Sequence, residues 1–270
     1  MKNFCLPFCL LLLLLGASAP LHAKTVKVIA GSSLIEDIVL DLTENQADVL
    51  SVIKGSTCPG HETLKTTDFV FAAQADIILV HSFQRKMPWL TGMMEAVKDK
   101  NPRLTVLDAK GSWLIPEVQK KAVLEIAAIL SGVFPQNAKA IDERARKRLA
   151  RVDAAGDEIQ ARLAPIKSKP VAAADMQSEF ASWAGLTVLR AYGQDENPGA
   201  IARMVDELRD KKLVGVVGNY QSGSGTGLPL ALELAVPYIV LSNFPGSSDD
   251  ALDYFSLMNH NAAQLLRLGD

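Results

Sequence analysis

Short apolar runs alternate with longer amphipathic ones along most of this chain, and that alternation restricts the fold more than any other feature. Thr25–Ala30 reads as a strand and Ser32–Leu42 as a helix, with Ser32 or Ser33 as its N-cap. Val49–Ile53, at the end of the apolar run Ala47–Ile53, is a second strand, followed by a helix over Thr66–Ala73. Ile77–His81 is a third strand, Trp89–Lys98 a helix and Leu104–Leu107 a fourth strand. The same order returns later. Strands are expected at Pro170–Ala174, Thr187–Leu189, Leu213–Val217 and Tyr238–Leu241, and helices at Met176–Ala184, Ala200–Lys211, Gly227–Ala235 and Asp249–Leu268. Such alternation builds a parallel sheet covered on both faces, so the expected class is α/β with two parallel-sheet lobes. Only the element order recurs; the two halves share no sequence repeat.

Between the two series the pattern changes. Ile115–Leu130 reads as a helix broken near Phe134-Pro135, and Asn137–Leu163 then runs without proline and with dense charge. At ~1.5 Å per residue that stretch would reach ~40 Å, long enough for a strut between lobes. The expected division is 24–134 for the first lobe, 135–165 for the connecting helix and 166–270 for the second lobe.

The N-terminus supplies a compartment. Lys2, the apolar core Phe8–Gly16 and the ending Leu21-His-Ala23 have the layout of a cleaved secretory signal, residues 1–23. Its apolar run is too short to span a bilayer, and neither Cys5 nor Cys9 lies where a lipobox needs it. The protein is therefore expected outside the cytoplasm, periplasmic in a two-membrane cell, with no membrane span in the mature chain. Lys and Arg number 28 against 30 Asp and Glu, a net charge of −2, which gives no reason to expect nucleic acid or an anionic membrane as partner. Two of the three cysteines leave with the signal. Cys58 is then alone, no internal disulfide can form, and a lone thiol in an oxidising compartment asks for a reason.

Gly55-Ser-Thr-Cys58-Pro-Gly-His61-Glu62 offers one. Pro59 and Gly60 argue against regular structure, so thiol and imidazole share one tight loop, and a soft sulfur three residues from a nitrogen donor suits zinc or copper(I). The alternative is a small filler and a solvated loop histidine. Ligands of open parallel sheets bind at the carboxyl ends of the strands. From the first lobe this places Gly31–Ser33, Cys58–Glu62, His81–Gln84 and Lys110–Trp113 at a shared cleft. From the second it places Asp175–Gln177, Tyr192–Glu196, Asn219–Gly227 and Ser242–Gly246. His81 ends its strand at the edge from which it can approach His61. The glycines of Asn219–Gly227 free a backbone that precedes a helix, a place for anions, without the Gly-Lys-Ser/Thr ending of a Walker A loop.

Signal, two α/β lobes, long helix and histidine loop together resemble the metal-binding solute receptors of ABC importers, the zinc and manganese receptors of cluster A-I. In that family a Pro-His segment with an aspartate about seven residues on marks the first metal ligand, and Cys58-Pro-Gly-His61 with Asp68 occupies the place here. Leu241-Ser-Asn-Phe-Pro-Gly246 and Asp253–Asn261 are also similar to the family, and the likeness spans the mature chain. Gly111–Pro116 lacks the histidine expected before the strut. Ala174–Gln177 stands where a third is expected, and Asn219–Gln221 where an acidic ligand is expected. The resemblance implies a C-clamp receptor, not an enzyme, acting as a monomer with an ABC permease and carrying a transition metal ion, zinc foremost. By position the expected metal ligands are His61, Cys58 and His81. Asp175, Met176, Gln177, Asn219 and Gln221 are the expected contacts from the second lobe. A metal chelate or small organic anion is the alternative cargo. A thiolate–imidazole enzyme built on Cys58 and His61 lacks a second cysteine, a Ser-His-Asp order or HExxH, and an adhesion or scaffold role on the same fold is a third class.

Overall fold

The computed structural model describes residues 25–100 and 102–269; the signal segment expected over 1–23 lies outside them. The first series forms β1 (Lys27–Ser32), α1 (Ser33–Thr43), β2 (Asp48–Ile53), α2 (Thr66–Ala72), β3 (Ile77–His81), α3 (Pro88–Ala96) and β4 (Arg103–Leu107). Its strands pair in the order β2-β1-β3-β4, all parallel. Two helices follow, α4 (Pro116–Val133) and α5 (Ala138–Arg162). The second series is β5 (Pro170–Ala174), α6 (Asp175–Trp183), β6 (Thr187–Tyr192), α7 (Pro198–Leu208), β7 (Gly215–Asn219), α8 (Gly227–Leu234), β8 (Tyr238–Leu241) and α9 (Tyr254–Leu266). Its sheet order, β6-β5-β7-β8, repeats that of the first. The buried strand residues are mostly Val, Ile, Leu and Ala, and β1, β3, β5 and β7 are buried along nearly their whole length, as strands covered on both faces must be.

Several boundaries move for physical reasons. Helix α7 begins at Pro198 rather than at residue 200, because the Asn197 side chain accepts from Ala200 N at 2.9 Å and proline suits the first helical position. Helix α9 begins at Tyr254 rather than 249, where Asp253 caps by accepting from Ser256 N at 2.7 Å. Ser32 does precede α1, but its hydroxyl caps nothing and turns to His81 instead. Pro59–His61 also departs from expectation: the segment forms a single 3-10 turn with proline in its first position. One such turn needs no donor from proline, so the ring does not prevent it.

Helix α5 is a strut, and one embedded in the core. Ile141, Ala145, Arg148, Val152, Gly156 and Ile159 form one buried stripe, with helical spacing of three or four residues. The stripe packs on α4 and also meets α1 of the first lobe and α9 of the second. Gly156 is required there: a Cβ would come within 2.7 Å of Pro116 Cγ on α4. One continuous apolar cluster consequently runs from Val28 and Ile35, through Val123 and Val152, to Val171 and Leu257.

Arg148 is the one charged member of that stripe. It is 2% exposed and reaches Asp37 Oδ2 at 2.5 Å and Asp41 Oδ2 at 2.8 Å, both on α1. The guanidinium also lies over the Phe255 ring of α9 at 5.4 Å, and Arg151 covers the same ring at 4.1 Å. Burial pushes the Asp37 carboxyl above its ordinary range, and the Arg148 charge opposes that push. Burial likewise disfavours the Arg148 cation, but attraction and hydrogen bonds from Asp37 and Asp41 outweigh it and hold the guanidinium protonated. First lobe, strut and second lobe thus converge on a single side chain.

Candidate functional site between the lobes

The carboxyl ends of both sheets face one cavity of about 700 Å³. His81 ends β3, Ala174 ends β5, Tyr192 ends β6 and Asn219 ends β7, and all four line it. The loops after β2, β4 and β8 add Cys58–Gly60, Ala109–Leu114 and Asn243-Phe244. Direct contacts close the lobes around it. Gln221 Nε2 donates to Gly55 O at 2.7 Å, Ser33 Oγ to Pro245 O at 2.8 Å, and Ser112 N to Glu179 Oε2 at 2.6 Å. Tyr254 of α9 donates to Leu114 O at 3.1 Å.

On the first-lobe wall His81 is 6% exposed, with Nε2 2.7 Å from Ser32 Oγ. The Trp113 ring meets it edge-on at 4.2 Å and Phe83 stacks on it at 5.2 Å. Gln84 fixes the strand end by accepting from His81 N at 2.8 Å and donating to Gly31 O at 2.7 Å. Burial pushes the imidazole down to about 3, so it is neutral at physiological pH. Between about pH 3 and 6.5 the unfolded chain binds a proton that the folded chain refuses. This contribution to stability is therefore complete above 6.5 and declines by about 1.4 kcal/mol per pH unit below it. His81→Gln is expected to flatten the acid limb of urea-unfolding stability against pH by that slope. An unchanged limb would show that the imidazole is not the group responsible.

Cys58 is half-buried at the cavity edge. His61 closes the 3-10 turn that starts at Pro59, and its side chain lies outside the described part of the structure. Asp68 is half-buried and engaged locally, where its Oδ2 accepts from Lys65 N at 2.7 Å to cap α2. Among the described residues no three of His, Cys, Asp or Glu are grouped to hold an ion.

The second-lobe wall is rich in amides. Gln177 Nε2 donates to Asn219 Oδ1 at 2.9 Å and to Asn243 Oδ1 at 3.0 Å. Asn243 Nδ2 donates to Asn219 Oδ1 at 3.0 Å, and Asn219 Nδ2 to Ser222 Oγ at 2.7 Å. Gln177 is fully buried behind them, and its Oε1 has no hydrogen-bond partner among the described residues. Gln221 is turned to the lobe contact: it donates to Gly55 O and Ser242 Oγ and accepts from Asn243 N at 3.1 Å. Asp175 lines the cavity, and so does Met176, 63% exposed at the rim. Asn243 is the member that reading the sequence did not single out. Its position just past the β8 apolar run, inside the expected cleft segment Ser242–Gly246, was the available signal.

Over residues 28–267 the sequence matches the family described as zinc-uptake complex component A, periplasmic. The chain belongs to the ZnuA family. ZnuA-family proteins are solute-binding receptors, not enzymes. Among solved structures the fold is similar to Mn-bound periplasmic metal binding protein from Candidatus Liberibacter asiaticus, with TM-score 0.74 and 15% identity over 90% of this chain and 100% of that one. The Cd-bound form of that protein gives 0.75 at 14% identity, over 90% and 100%. A crystal structure of ZnuA gives 0.74 at 15% identity, over 92% and 100%. At this identity the structural likeness speaks for the fold alone. No curated protein matches the sequence. No helix among the described residues is long and apolar enough to cross a membrane.

Proposed function

We propose that this chain is an extracytoplasmic receptor that captures a transition metal in the interlobe cleft and presents it to the permease of an ABC importer, with zinc as the first candidate. One observation carries the reading: a ZnuA-family chain has the carboxyl ends of its strands and the loops after them gathered around an interlobe cavity, with Cys58 and His81 in its lining. The neighbours solved with Mn and Cd leave the ion open, and the thiol of Cys58 favours a soft or borderline metal over manganese. The assigned ligands are Cys58 and His61 from the turn, with His81 offering Nδ1. A histidine that binds metal through one nitrogen usually has the other hydrogen-bonded, and Ser32 supplies that anchor. Asp175, Met176, Gln177, Asn219 and Gln221 are the contacts assigned to the second lobe. In this reading residues 1–23 are the export signal, 24–134 and 166–270 the lobes, and 135–165 the connecting helix of a monomer.

Native mass spectrometry of protein purified from its export compartment without chelator tests the proposal. One metal ion per chain is expected, removable by chelator and absent in Cys58→Ser. A 100-fold excess of the correct ion over its dissociation constant should raise stability by about 2.7 kcal/mol in thermal melts. A bare chain that takes up neither zinc nor manganese on titration would sink the reading.

A further inference from the structure

The cleft has more room than a metal ion fills on its own. Zinc sits ~2.0–2.3 Å from its donors and asks for about four of them, whereas the cavity of about 700 Å³ falls within the ~300–1,000 Å³ of sites for small organic ligands. Trp113, Tyr192 and Phe244 give it apolar walls. Neutral amides make up much of the second-lobe wall, and a carboxamide oxygen is a poor partner for soft or borderline ions.

A hydrogen-bond inventory shows what the amides can do. An Asn side chain has two N–H donors and two acceptor sites. Asn219 Nδ2 uses one N–H on Ser222 and Asn243 Nδ2 one on Asn219, so each keeps a second. Among the described residues Asn243 Oδ1 accepts only from Gln177, and Gln177 Oε1 accepts from nothing. A buried acceptor left unpaired costs about 1–3 kcal/mol, a cost that a water bridging it to a ligand removes. Two amide donors beside amide acceptors match a carboxylate next to an amine. Charge narrows the choice further. Asp175, Glu179 and Asp195 line the cavity against Lys110, which disfavours a free organic anion and favours a cationic guest. A divalent metal holding one singly deprotonated amino-carboxylate carries one positive charge.

We propose that the cleft takes its metal as a complex with a small amino-carboxylate chelator, the metal facing the Cys58–His61 turn and the chelator hydrogen-bonded by Asn219 and Asn243, backed by Gln177. The proposal rests on the metal-receptor reading above and names the class of its cargo. Lobe 1 then supplies one or two donors, the chelator supplies the rest, and the amide wall distinguishes the complex from the hydrated ion.

Titration calorimetry and native mass spectrometry of the mature protein with zinc alone, histidine alone and a 1:1 zinc–histidine mixture test this. The expected adduct is one zinc plus one histidine, bound at least tenfold tighter than zinc alone. Asn243→Ala should abolish that gain, so that the variant binds the mixture no tighter than zinc alone, and Asn243→Ser, which keeps a partner for Gln177, serves if the alanine variant melts early. Equal affinity for zinc and for the mixture, with no histidine retained, would overturn the chelate proposal and leave the metal receptor standing. Histidine bound without zinc, or nothing bound, would overturn both.

Discussion

Replacing Arg148 by alanine is expected to cost about 3–5 kcal/mol of stability, the usual penalty for removing one partner of a buried ion pair. The reason is what stays behind. Asp37 and Asp41 face Arg148 at 2.5 and 2.8 Å, and without it two carboxylates are left beside an apolar stripe with Arg151, 3.6 Å from Asp41, as a partial substitute. Phe255 also loses one of the two guanidinium groups over its ring. At ~2–4 °C per kcal/mol for a chain of this size, the melting temperature should fall by on the order of 10 °C. Much of the loss should return in Arg148→Met combined with Asp37→Leu, because an apolar replacement of a buried pair is often neutral. A loss under about 1 kcal/mol for Arg148→Ala would mean that water reaches the site and that the three-way junction is not held by charge.

The second large effect is expected at Gly55. A Cβ on this residue would fall far inside van der Waals contact of Pro245 O, Gly246 C and Ser247 N, all main-chain atoms of the other lobe. Backbone cannot turn aside as a side-chain tip can. Gly55→Ala therefore either strains the junction, at about 1–3 kcal/mol for overpacking, or separates the lobes and breaks the 2.7 Å bond from Gln221 to Gly55 O. Either outcome deforms the cavity, so metal affinity should fall by about 10–100-fold, at ~1.4 kcal/mol per decade. Calorimetric titration of the variant checks it. Wild-type affinity with a wild-type melt would show that the lobes yield at this contact without consequence for the ligand.

The architecture was legible because buried parallel strands need continuous apolar runs, and runs such as Ile77–His81 stand out between amphipathic helices. Less visible were features decided by one polar atom. Asp253 and Asn197 set helix starts through caps that only three-dimensional geometry shows. Proline at position 59 argued against regular structure, yet a single 3-10 turn asks nothing of its missing N–H. The strut was readable from charge and length, but its buried arginine was not: Arg148 sits in a stretch dense with basic residues, and only its partners on α1 distinguish it from Arg146. At the cleft, position brought His81, Asn219 and Gln221 to notice. Asn243 escaped because an asparagine after a strand looks like ordinary turn chemistry until two other amides are found against it.

The apolar cluster that passes unbroken from one sheet through α4 and α5 to the other bears on how such a receptor reports that it is loaded. Two halves that share one interior cannot swing apart without exposing it, so whatever adjusts around a guest is confined to short segments at the rim. Those segments are Cys58–Gly60, Lys110–Ser112 and Gln221–Gly223, all in the cavity lining. Occupancy is legible at the mouth of the cleft while the body of the molecule keeps its shape.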